Sequence, residues 1–97
     1  MVYITANDLD EAKRISRVLV EERLAACVNV FPITSMYHWD GLREEKEVAL
    51  IAKTKTANVK KVENRVKELH SYDVPCIISF QIDGSEEFLK WIGDEVK

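Results

Sequence analysis

The stretch Leu24 to Gly41, LAACVNVFPITSMYHWDG, constrains the fold more than any other part of the chain. Small side chains at Ala25, Ala26 and Cys27 suit the close packing of a sheet, and an extended run follows. A proline cannot donate to a strand ladder, so Pro32 predicts a bend that interrupts the strand, or an edge position. Asp40-Gly41 then closes a hairpin, because consecutive left-handed positions favour these residues. Alternation along a strand puts the rings of Tyr37 and Trp39 on one face and His38 on the other. A domain this small would struggle to cover both rings itself, so the hairpin arm is expected to meet another subunit.

The rest of the chain supplies the partners of that hairpin. Val2 and Ile4 alternate with Tyr3 and Thr5 as a short strand. Asn7 or Asp8 can cap a helix over about Leu9 to Arg23, with Asp8 and Glu11 spaced as a capping box and Ala12, Ile15, Leu19 and Val18 as its apolar stripe. The return strand runs from about Leu42 to Thr54, polar over Arg43 to Lys46 and nearly all apolar over Val48 to Ala52. Asn58 caps a second helix with Val59, Val62, Val66 and Leu69 on one face. A loop at Asp73-Val74-Pro75 leads to a fourth strand over Cys76 to Ile82. Ser85 caps a closing helix on which Phe88, Leu89, Ile92 and Val96 face inward, while Trp91 falls among its polar positions.

The order is β-α-β-β-α-β with a terminal helix. This α+β pattern predicts one domain over residues 1–97, a ferredoxin-like sandwich with a long β2-β3 hairpin, both long helices on one face of an antiparallel sheet. Cys27 and Cys76 then lie on opposite edges, out of reach of a disulfide. The other face of the sheet stays open, which predicts association, most simply in closed cyclic symmetry.

Composition excludes several classes of function. A net charge of −3 with interspersed signs carries no nucleic-acid footprint. The apolar runs are far too short to span a bilayer, and Met1 leads into a strand with no signal-peptide pattern, so a cytoplasmic location is expected. No phosphate loop, His-Glu-x-x-His or nucleophile elbow is present, and no base accompanies Ser35 or Ser79, which argues against an enzyme. An acylphosphatase-type hydrolase shares the fold, but Asn7 has no arginine beside it in the first loop.

Two positions could carry ligand chemistry. His70 lies eleven residues after Val59, about 20° around the helix and thus on its apolar face. It is either a helix-end histidine bonded to a carbonyl or a ligand placed beside Tyr72 for a metal or an anionic group. Glu47 stands where the return strand turns apolar; it is solvated, or it turns inward and needs a cationic or metal partner. Lys53 shares its strand face and either charges the same cleft or extends to water.

The segments LVEERLAACVNVFP (Leu19 to Pro32), Ser35, Tyr37, Trp39 and Gly41, then Glu47 with Lys53-Thr54, His70-x-Tyr72-x-x-Pro75 and Phe88-Leu89-x-Trp91-Ile92 resemble the CutA family of divalent-cation tolerance proteins. The resemblance covers nearly the whole chain. It implies a PII-like homotrimer, non-enzymatic, acting in tolerance of or response to divalent metal ions such as copper, with a small-ligand or ion cleft between subunits. It further implies His70 and Glu47 as metal residues, Lys53, Tyr72 and Trp39 as cleft residues, and Tyr37 and Trp39 at the trimer interface. No cofactor is certain, and copper or another divalent cation would be weakly bound. Ile4 stands where some members carry a metal-binding cysteine, Leu69 where they carry a further histidine, and Ser71 in place of the usual proline, a change expected to relax the loop. A stricter copper-binding or storage role is the alternative, although the first loop lacks the Cys-x-x-Cys of a metallochaperone.

Overall fold

Alternating apolar residues at Val2, Ile4 and Ala6 give the molecule its central buried strand. The computed structural model describes residues 1–97 as β1 (Val2–Ala6), α1 (Leu9–Glu21), β2 (Cys27–His38), β3 (Leu42–Lys53), a 3-10 turn (Thr56–Asn58), α2 (Val59–Leu69), β4 (Ile77–Ser79) and α3 (Glu86–Glu95). The sheet order is β2-β3-β1-β4 with every neighbour antiparallel, the ferredoxin-like arrangement. The free thiols Cys27 and Cys76 stand at opposite edges of it.

Strand parity divides the two faces. Val2, Ile4, Ala6, Val48, Leu50 and Ala52 point to one side and meet Ala12, Ile15 and Leu19 of α1 and Val62 and Val66 of α2 in a single apolar core. The opposite side carries Tyr3, Phe31, Ile51 and Ile78, which no long helix covers; Phe31 is 37% exposed and Ile78 56%.

The helix ends show local chemistry at work. Asp8 caps α1 by accepting from the Glu11 N–H at 2.8 Å. The reciprocal bond of the box is displaced by one residue: Glu11 Oε1 accepts from Asn7 N at 3.0 Å. The helix stops at Glu21, two residues short of the expected Arg23, because Arg23 adopts a left-handed φ of 61°. Arg23 N donates to Val20 O and Leu24 N to Leu19 O, the paired bonds of a Schellman ending. Asn58 precedes α2 as expected, but its side chain makes no capping bond. It is 2% exposed, and its Nδ2 donates to Lys97 O at 2.9 Å, tying the C-terminal segment to the start of α2.

Three strand and helix expectations require correction. Pro32 does not interrupt β2, which pairs with β3 without a break from Cys27↔Lys53 to His38↔Leu42. A proline keeps register where its missing N–H would point away from the partner, and β2 is an edge strand. The fourth strand is only Ile77–Ser79 rather than Cys76 to Ile82, paired with β1 from Ile4↔Ile77 to Val2↔Ser79. Met1 and Phe80 exchange the last backbone bonds, and no strand lies beyond them. On α3, Ile92 and Val96 are buried, but Phe88 is 44% exposed. Its ring lies 5.5 Å from that of Trp91 and 5.8 Å beneath the Lys53 ammonium.

The hairpin gives the molecule its length. Asp40 and Gly41 both take positive φ, 53° and 97°, at its tip. Leu42 to Glu47 pair with β2 alone, since β1 pairs with β3 only from Val48 onward. At about 3.4 Å per residue this arm projects about 20 Å beyond the body. The radius of gyration is accordingly 13.9 Å, against about 12.5 Å for a compact chain of this length.

Candidate functional site

The loop between α2 and β4 brings His70 and Tyr72 to Glu47 of β3 at the mouth of the sheet. His70 ends α2, and its ring has no exposed side-chain surface. Nδ1 accepts from Tyr72 N–H at 3.0 Å, so Nε2 holds the proton and donates to Thr5 O at 2.6 Å. The two rings stand 4.7 Å apart. Tyr72 then reaches over the open face, and its hydroxyl donates to Glu47 Oε2 at 2.9 Å. Burial first, then the Glu47 carboxylate, push the Tyr72 phenol well above its usual pKa. The phenol therefore stays neutral and donates to the Glu47 carboxyl, with the second Glu47 oxygen left to accept from a ligand or from water.

Beneath this group lies a carboxylate whose role sequence reasoning missed. Glu11 is 8% exposed; Oε1 accepts from Asn7 N and Oε2 from Ser71 N, each at 3.0 Å. Burial alone would raise its pKa. Hydrogen bonds from Ser71 and Asn7 outweigh that and leave it below the usual glutamate value. Its signal was present: Glu11, Ile15 and Leu19 repeat every fourth residue, so this acid sits on the apolar stripe of α1. Ser71 likewise ties the loop where its replacement of proline suggested a relaxed one.

The sign of the Glu11 shift sets a pH dependence. A carboxylate with a depressed folded pKa adds stability that is complete above its unfolded pKa, about 4.3, and lost as pH falls through the lower folded value. Glu11→Gln is therefore expected to be less stable than the parent by about 1–3 kcal/mol at pH 7. That difference should shrink as the pH is brought below 4. Urea unfolding of both proteins at pH 7 and pH 3 measures it; an equal difference at both values would contradict the argument.

Not all of the expected site residues converge. Glu47, His70 and Tyr72 meet, whereas Lys53 shares the strand face of Glu47 but lies six residues along β3, about 20 Å away. Lys53 Nζ instead contacts Asn29 Oδ1 and lies 3.9 Å from Cys27 Sγ. Trp39 and Tyr37 are out on the arm, 73% and 42% exposed.

Within a single chain the donor set does not make up a metal site. Both His70 nitrogens are engaged within the protein, and no three His, Cys, Asp or Glu side chains are grouped to hold an ion. Dedicated sites use three or four protein ligands. Of the two readings of His70, the geometry matches the structural one, a helix-end histidine bonded to a backbone carbonyl.

A family model described as CutA1 divalent ion tolerance protein matches residues 1–95. The divalent-cation tolerance protein CutA of Archaeoglobus fulgidus is 46% identical over 98 residues, spanning 99% of this chain and 96% of that protein. Its structure superposes with a TM-score of 0.95 at 46% identity, covering 99% of this chain and 96% of that one. CutA1 from Pyrococcus horikoshii superposes with a TM-score of 0.94 at 40% identity, covering 99% and 96% of the two chains. The human Protein CutA is 38% identical over 93 residues, and there the match spans 93% of this chain but 52% of the human protein. The expectation of a cytoplasmic location is corrected by the Archaeoglobus structure, which is described as a periplasmic divalent cation tolerance protein. The missing signal-peptide pattern therefore did not bear on compartment, and what stands is that no helix is long and apolar enough to cross a membrane. Matched by the family model over residues 1–95 and by relatives and solved structures along nearly its full length, this chain belongs to the CutA1 divalent ion tolerance family.

Proposed function

We propose that this chain acts in divalent metal-ion tolerance as a non-enzymatic homotrimer of single-domain subunits, and that a cleft between neighbouring subunits takes up a small anionic ligand or an ion. The observation that carries this reading is the uncovered apolar surface. Phe31, Ile78, Phe80, Tyr37 and Trp39 are between 37% and 73% exposed. The chain exposes 6424 Å², whereas a folded monomer of its mass is expected to expose about 5,700 Å². Patches of this kind mark association surfaces. The arm and the open sheet face are different regions, so pairing one with the other is a head-to-tail contact, the kind that forms a ring where the rotation between subunits closes. The threefold number is what the CutA resemblance implies.

Separation within one chain also supports a shared cleft. Lys53 and Trp39 each lie about 20 Å along the strands from Glu47. They can border the same cleft as Glu47 and Tyr72 only when a neighbour contributes them. Glu47 and Tyr72 would then supply the acceptor and the aromatic wall, and Lys53 a positive charge for an anion.

The stricter reading, a copper or divalent-metal binding or storage protein working through His70 and Glu47, asks more of the donors. A metal would have to displace either the Tyr72 N–H or the Thr5 carbonyl from the His70 ring.

Native mass spectrometry of protein purified without added metal, then titrated with copper, tests the proposal. The expected result is a trimer that stays metal-free until copper is in large excess. A monomer would overturn the assembly, and one tightly held copper per subunit would favour the stricter reading.

A further inference from the structure

We infer that Glu11 is a positioning residue for the cleft: its buried carboxylate clamps the loop after α2 and thereby keeps the Tyr72 hydroxyl on Glu47. The inference rests on Glu47 and Tyr72 being cleft residues, and it adds a side chain that lies outside the cleft. Glu11 stands in the first turn of α1, whose neighbouring residues Ala12, Ile15 and Leu19 are fully buried, so the carboxylate is held by the rigid part of the molecule. One oxygen takes the Asn7 N–H of the loop before α1, and the other takes the Ser71 N–H of the loop after α2. Ser71 stands directly between His70, which bonds Thr5 O, and Tyr72, which bonds Glu47. Arg14 adds a bond from Nη2 to Leu69 O at 3.0 Å that holds the helix end, and beyond it the loop is tied by the His70 ring and by the Glu11 carboxylate.

Only an ionised carboxylate suits this place. Two backbone donors approach two separate oxygens, and each needs an acceptor. In glutamine the amide nitrogen would present a donor to one of the two N–H groups. In aspartate the group would be one methylene short of both. The serine is equally specific, because a proline at position 71 has no N–H to give. The loop that presents Tyr72 is thus tied to α1 through a backbone bond that depends on the residue type at 71.

The test labels the tyrosine phenol carbons with ¹³C and reads their resonances at pH 7, where Tyr3, Tyr37 and Tyr72 are distinguished by a Tyr72→Phe sample. Glu47→Gln gives the resonance of a Tyr72 that has lost its carboxylate partner. Glu11→Gln is expected to move Tyr72 to that same position while Tyr3 and Tyr37 hold theirs. A Glu11→Gln protein that loses stability but keeps the parent Tyr72 resonance would overturn the inference, since a merely structural role predicts that outcome. Should Glu11→Gln not fold, Ser71→Pro removes the N–H donor and leaves the carboxylate; it must move Tyr72 in the same way, and an unmoved resonance overturns the inference. Sedimentation of the same samples separates this from the assembly proposal: a monomeric parent overturns the trimer, while the tyrosine resonances still decide the role of Glu11.

Discussion

Replacing Tyr37 and Trp39 together by alanine is expected to turn the proposed trimer into monomers while leaving each chain folded. The two rings are 42% and 73% exposed and lie on the projecting arm, outside the buried core. Their loss therefore removes nothing that holds the sheet to α1 and α2. Large aromatic side chains buried at the centre of an interface typically cost about 2–4 kcal/mol each when cut to alanine. About 4 kcal/mol in total corresponds to roughly a thousandfold weaker contact, and a ring loses that contact at every subunit junction. Sedimentation equilibrium at micromolar concentration should report the single-chain mass, with an unchanged far-ultraviolet circular dichroism spectrum. A variant that stays trimeric would show that the arm does not form the interface.

His70→Ala is expected to act on stability first and on metal binding little. The ring has no exposed surface, packs at a tilt 4.7 Å from the Tyr72 ring, and joins Thr5 of β1 to the Tyr72 N–H. Alanine leaves a cavity and strands a buried carbonyl and a buried N–H, a combined loss of about 2–4 kcal/mol. For a domain of this size each kcal/mol lowers the melting temperature by about 4–8 °C, so the shift is easily read by calorimetry. Copper titration of the same variant completes the comparison. Unchanged copper uptake with a lowered melting temperature makes His70 a structural residue; lost stoichiometric copper would restore it as a ligand.

The two expectations share one physical basis. Side chains that already spend their hydrogen-bonding capacity inside the chain, such as His70 and Glu11, build the platform. Side chains that remain exposed after folding, such as Trp39, Phe31 and Ile78, are available to a neighbour. Tyr72 and Glu47 belong to both sets, being bonded to each other and half-buried at the mouth of the sheet.

Much of the architecture was legible because it depends on local periodicity. The alternation of Val2 and Ile4, the stripes Ala12-Ile15-Leu19 and Val62-Val66, the Asp40-Gly41 turn and the Ser85 cap each act within a few residues, and all appear where their patterns place them. Element order followed, and with it the sheet and the face on which the helices lie. What local pattern could not decide was where each element stops and what each polar side chain touches. Helix α1 ends early because Arg23 takes a left-handed conformation, and β4 is short because its ladder with β1 ends at the bonds between Met1 and Phe80. Pro32 stays in register because β2 happens to be an edge. Asn58 reads as a cap yet bonds the far C-terminal segment, Glu11 reads as half of a capping box yet clamps a loop sixty residues away, and Lys53 reads as a neighbour of Glu47 yet meets Asn29 and Phe88. The sequence by itself determined the elements and the family, since short-range sterics and apolar spacing act along the chain. Only the tertiary structure decided which polar side chains meet, because a hydrogen bond is directional and short, and its partner depends on which distant segments the packed core brings within about 3 Å.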